Sequence, residues 1–272
     1  MTIALNTGSE SRRTQSAGYR KAGLPQALRA EWTKLISLRS TKWTLAISTV
    51  GALLVTFLSA HSVLHKPGGW YHGFDPTNQV LAGLAVFALA LGVLGVLAMT
   101  GEYGTGTIRS SLAAMPRRDT LMAAKVIVVG ALTFVVGEVA AFATFFFGQA
   151  ILSSGGAPTA ALGQPGVLRA VTLTGAFLSL FALLGLGLGI VIRHTAGAIA
   201  AFAGITLLWP ILLKPVAGHL TKFAPATMFA NSVAAVVPQP GNVSPTVGLL
   251  WMVFYCMAVL GVGAVVLIRR DA

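Results

Sequence analysis

The sequence predicts an all-α polytopic membrane protein. Six transmembrane helices are preceded by an amphipathic elbow helix at the membrane surface, and outer re-entrant helices lie between spans five and six. Three observations carry this. First, 55% of the 272 residues are hydrophobic and the mean hydropathy is +0.79, too apolar for a water-soluble globule. Second, the apolar residues fall in runs of about 20, the length that crosses a ~30 Å hydrocarbon core as a helix. Third, these runs are continuous rather than alternating, which argues against a β-barrel.

Residues 1–23 are polar and read as a disordered cytoplasmic tail, with Arg12, Arg13, Arg20 and Lys21 among several Ser and Thr. Residues 24–42 read as an amphipathic elbow. Leu24, Leu28, Trp32 and Leu35 recur at helical spacing, Pro25 suits a first turn, and Glu31, Lys34, Arg39 and Lys42 supply a polar, mostly basic side. Such a helix lies in the headgroup region. The six-span domain then covers 43–268, with spans at 43–64, 78–99, 121–152, 170–192, 195–213 and 247–268, and residues 269–272 form a second short tail. Residues 214–246 contain Pro215, Pro225, Pro238, Pro240 and Pro245 around an apolar stretch of 15 residues at 223–237, which fits a re-entrant or outer-surface helix.

Charge sets the orientation. With both termini inside, 15 of the 19 Lys and Arg fall on inner segments, leaving Lys66, Arg169, Lys214 and Lys222 outside, as the positive-inside rule requires. The net charge of +12 is therefore explained by topology rather than by nucleic acid. Trp43, Trp70, Trp209 and Trp251 fall at or near span ends, where indole rings favour the headgroups. Ala85, Ala88, Gly92 and Gly95 make a small-residue stripe on span two. Thr133, Gly137, Ala140 and Thr144 do so on span three, and Gly185 with Gly189 on span four. Small faces of this kind serve helix packing or dimerisation.

The inner loop at 100–120 is the polar interruption of the hydrophobic body richest in positive charge. It holds Glu102, Tyr103, Arg109, Arg117, Arg118 and Asp119. Glycines 101, 104 and 106 give a flexible start, Thr105 or Thr107 can cap a helix, and Ile108, Leu112 and Met115 share one face before Pro116 stops it. The pattern suits either a loop that only fixes topology or a short helix that docks a cytoplasmic partner.

Few residues suggest chemistry. Glu138 stands deep in span three, where a carboxylate should face the interior, carry a proton or find a partner. Phe145 and Gln149 share its stripe, so these three could line a substrate path; the alternative is a helix–helix hydrogen bond. His61, His65, His72 and Asp75 sit near one outer loop without a strong metal spacing, and the lone Cys256 allows no internal disulfide. Gly104-Thr105-Gly106 lacks the GK[ST] of a phosphate loop, and no GxSxG or HExxH is present. The chain reads as neither an ATPase nor another enzyme.

With Glu31-Trp32-Thr33-Lys34-Leu35 and Leu38-Arg39-Ser40-Thr41 in the elbow, and Gly101-Glu102-Tyr103 followed by Gly106-Thr107-Ile108-Arg109 after span two, the chain resembles permease subunits of type-2 ABC exporters, particularly small actinobacterial ones. The resemblance covers about residues 25–272. It implies a bacterial plasma-membrane exporter that forms the substrate path. It further implies that the region from Glu102 to Arg118 is a coupling helix on a separate ATP-binding-cassette subunit, that ATP and Mg sit on that subunit, and that two permeases, a homodimer, pair with two ATPases. The rival expectation is an ATP-independent, proton-coupled carrier or channel subunit using Glu138.

Overall fold

The computed structural model describes residues 23–65, 73–115, 117–235 and 241–269. The tail at 1–22, Lys66, Trp70, His72, Pro116, Pro238, Pro240 and residues 270–272 lie outside the described residues. Within them the chain is helical, and six helical stretches are long and apolar enough to cross a membrane.

The first helix, α1 (Leu24–Ser37), starts behind Gly23 with Pro25 in its first turn. It stops at Leu38, whose backbone is extended (φ −69°, ψ 119°), and α2 (Arg39–Leu64) begins at once. Helix α1 is therefore shorter than the expected 24–42, and Arg39 and Lys42 belong to the first turn of the first span. The face of α1 also differs from the expected stripe. Leu24 and Trp32 are exposed, while Ala27, Glu31 and Leu35 are buried. Two faces are apolar enough to be covered, and Glu31 turns the bundle towards its own because a buried lysine awaits it there.

Span two is preceded by a separate short helix, α3 (Pro76–Leu81), so the helix at 78 is not yet the span. Asp75 caps α3 by accepting from the Thr77 and Asn78 amides at 2.9 and 3.1 Å. The chain then bends at Gly83, where a Cβ would stand 2.7 Å from the Ala52 carbonyl oxygen of α2. The span proper is α4 (Leu84–Thr105), which ends at Gly106 in the left-handed conformation (φ 72°) that glycine adopts without strain.

A short surface helix, α5 (Thr107–Ala114), leads into α6 (Arg118–Ser154), which at 37 residues is about 55 Å long and projects beyond the hydrocarbon. The fourth span, α7 (Val167–Ile192), is the most buried of the six and packs against α4, α6, α8 and α11. Its contact with α4 is backbone to backbone: a Cβ on Gly185 would overlap the Gly92 carbonyl oxygen, and one on Gly95 would overlap that of Ala182. The α6 stripe of Thr133, Gly137, Ala140 and Thr144 is likewise buried, with Gly137 against Leu178 of α7. Apart from Ala85, which is exposed, these small residues are thus consumed inside the chain, where dispersion and close approach replace a hydrophobic effect that lipid cannot supply. They give no support to a dimer.

The fifth span is composite. Helix α8 (Thr195–Ala203) passes into a π-helical turn at Gly204–Leu208 and then into α9 (Trp209–Ala217). The Trp209 amide reaches back five residues to the Gly204 carbonyl. The cause is Pro210, which has no N–H and crowds the carbonyl four residues earlier, so the turn before it widens. After a 3₁₀ segment at Gly218–Phe223, α10 (Pro225–Ser232) packs on α7 and α11, burying Met228 and Phe229. The segment that follows is held from two sides. The Ala235 amide donates to Asp75 Oδ2 at 2.7 Å, and Arg169 Nη2 donates to the Ala234 carbonyl at 2.9 Å. The last span is α11 (Pro245–Arg269).

Candidate functional site: a buried charge cluster beneath the 100–120 loop

Four charged side chains from three helices meet where α1 crosses the bundle. Lys125 of α6 is only 4% exposed. Its ammonium donates to Glu31 Oε2 at 2.6 Å, to Glu102 Oε1 at 2.7 Å and to the Ala98 carbonyl at 3.3 Å. Lys34 of α1 donates to Glu31 Oε1 at 2.8 Å, to Glu102 Oε1 at 3.0 Å and to Ser111 Oγ of α5 at 3.0 Å. Two carboxylates and two ammonium groups therefore neutralise one another at a depth where any one alone would be costly. The cluster ties α1, α4, α5 and α6 together. Burial pulls the Lys34 pKa down, but its hydrogen bonds and proximity to Glu31 and Glu102 outweigh this and hold it above the usual lysine value. Its contribution is complete at neutral pH and would be lost only as pH rises through that raised value.

Sequence reading missed the centre of this cluster. Lys125 is a second ionisable residue on the helix of span three, beside Glu138. Lys125 lies near the predicted start of span three, where the positive-inside rule alone accounts for a lysine. The signal that could have found it is the presence of Glu31 and Glu102 on the two segments that must flank the same membrane boundary.

The loop residues sort into two sets. Ile108 (4% exposed) and Met115 (7%) face inward against the bundle, with Leu112 half-buried beside them. The apolar face of α5 is therefore spent on the protein itself and is not left for a partner. Thr107, Arg109 and Arg117 are exposed, as are Gly106, Ser110 and Ala113. Tyr103 lies under the Arg193 guanidinium, 5.3 Å from its ring centre, and Arg193 and Arg118 donate to the Val266 and Leu267 carbonyls at the end of α11. These arginines cap carbonyls at the negative end of a helix. Glu102, Tyr103 and Arg118 are thus structural ties within the bundle, and the outward surface is carried by Arg109, Arg117 and the small residues between them.

Residues 74–272 match the ABC-2 family transporter protein. The chain belongs to this family. The match begins just before α3 and leaves α1 and α2 outside it. No curated protein matches the chain. This ABC-2 permease is a multi-pass membrane subunit of a transporter, and its family works with an ATP-binding-cassette partner.

The remaining candidates of the permease do not gather. Phe145 is buried in the core, and Gln149 Oε1 accepts from the Ala160 amide at 2.9 Å, stitching the loop after α6. Glu138 is half-buried with its carboxyl against Gly175 of α7, and its Oε2 has no hydrogen-bond partner. None of the three borders either of two cavities formed by the described residues. One, of about 600 Å³, lies at the charge cluster; the other, of about 320 Å³, lies between α4, α10 and the π-helical turn. His61 and His65 stack edge to face at 4.4 Å, and among the described residues no group of three metal-ligating side chains forms.

The inward face of α5 makes a direct prediction. Ile108→Asp should release α5 from the bundle, because a carboxylate at a buried apolar position costs several kcal/mol. Since α5 is a short surface helix, the damage should be local. Thiol labelling of a cysteine at Met115 would rise sharply in the variant, with membrane yield unchanged.

Proposed function

We propose that the chain is the membrane-spanning permease of an ATP-driven exporter and docks on a separate ATPase through the 100–120 loop. The observation that carries this reading is the build of α5. Its apolar side is anchored on the bundle, its outward side is polar and basic, and Ser111 links it to the buried charge cluster. A displacement applied to α5 is passed through Lys34 to Glu31 and Glu102, and so to α1, α4 and α6. In this reading the loop and both termini are cytoplasmic in a bacterial plasma membrane. ATP and Mg²⁺ bind the partner, and two copies of the permease pair with two ATPases. The substrate would move along the outer flank where the 320 Å³ cavity lies beside Phe181, Thr206 and Phe229.

The experiment reverses the exposed charges. Arg109→Glu combined with Arg117→Glu should lower ATPase co-purification by roughly tenfold or more, since like charges now face the acidic rim that two arginines imply. Membrane yield should stay at the native level, because neither side chain is buried. Undiminished ATPase binding would mean that the loop sets topology alone.

A further inference from the structure

The larger cavity shares a wall with the charge cluster but is not used by it. It opens between α1, the first turns of α2, the second half of α4 and the start of α6, and holds about 600 Å³. That volume is in the range of sites for medium-sized ligands. Its body is apolar, with Leu35, Leu94, Leu97 and Val129 in the wall, and its floor is Glu31, Lys34, Glu102 and Lys125. Hydroxyls of Ser40, Thr41 and Thr44 line the α2 side.

The hydrogen-bond capacity of the floor decides what can bind. An ammonium group has three protons. Those of Lys125 go to Glu31, Glu102 and Ala98, and those of Lys34 go to Glu31, Glu102 and Ser111. An anionic head group would find no lysine proton to take. On the acceptor side the capacity is not used up. Glu102 Oε1 accepts from both lysines, whereas Glu102 Oε2 is buried and has no hydrogen-bond partner. The missing group is a donor. A ligand carrying only an ammonium group would supply it but would add charge to a neutral cluster in a chain of net charge +12. A zwitterion supplies the donor and leaves the balance unchanged.

We propose that this cleft binds an ethanolamine phospholipid from the adjacent leaflet. Its ammonium donates to Glu102 Oε2, its phosphate accepts from the hydroxyls of α2, and its chains run along Leu94 and Leu97. Choline phospholipid has the same charges and no N–H, so it is the discriminating comparison.

The test uses the full-length permease in detergent, without ATPase, so it stands apart from the coupling reading. Phosphatidylethanolamine, phosphatidylcholine and phosphatidylglycerol of identical acyl chains are offered in equal amounts, and bound lipid is counted by native mass spectrometry. Retained phosphatidylethanolamine should exceed phosphatidylcholine by roughly tenfold, the scale of one hydrogen bond to a charged group. Leu97→Trp fills the cleft from its wall without touching the cluster and should bring the ratio to parity at native thermal stability. Equal retention of the two lipids by the native chain, a preference for phosphatidylglycerol, or a preference that survives in Leu97→Trp would each overturn the proposal.

Discussion

Replacing Lys125 by methionine should destabilise the permease by about 3–5 kcal/mol, the cost of breaking a buried ion pair by removing one partner. Two carboxylates would remain on one half-exposed lysine: Glu31, whose side chain is 2% exposed, and Glu102, at 12%. Glu31 Oε2 would lose its only donor, at 2.6 Å. Methionine nearly keeps the volume, so the loss reads charge rather than a cavity. The measurement is thermal unfolding in detergent beside membrane yield. Adding Glu31→Gln to Lys125→Met removes the orphaned charge and should recover part of the stability, because neutralising both partners is far cheaper than stranding one. A native melting temperature for Lys125→Met would show that the cluster holds nothing together.

Gly185→Val should be comparably damaging for a different reason. The new Cβ would overlap the carbonyl oxygen of Gly92, which is backbone and cannot rotate away. Helices α4 and α7 would have to separate along the most extensively buried span. Overpacking commonly costs about 1–3 kcal/mol and exceeds that where backbone must move. The comparison is Gly261→Ala on α11, where a Cβ meets nothing within 4 Å. It should leave folded yield unchanged or slightly raised. Equal yields for the two variants would refute the backbone contact between α4 and α7.

The spans were legible because hydrocarbon demands an apolar run of fixed length, and the π-helical turn falls inside the fifth run without altering its hydropathy. What sequence could not show was which side of each helix is used. In α1, Trp32 and Glu31 are neighbours on different faces, and the choice between them depends on Lys125, 94 residues away. In α5, Ile108 and Met115 were visible as a face, but periodicity does not say whether a face turns to the body or to a partner. The glycines of α4 and α7 were equally visible as small surfaces. Only the mutual approach of Gly92 and Gly185 shows that they are occupied within one chain.

The central position of α7 has a consequence for the route of anything carried. A bundle of helices can be arranged around a lumen or around a helix, and here the axis is filled by protein. Phe177, Leu178, Phe181, Leu184 and Leu186 are closed off by neighbours on several sides. The protomer is a solid pillar rather than a tube. For a polar cargo, descending that middle would mean extracting a whole span, so a route along the pillar's outside is the one this packing leaves open.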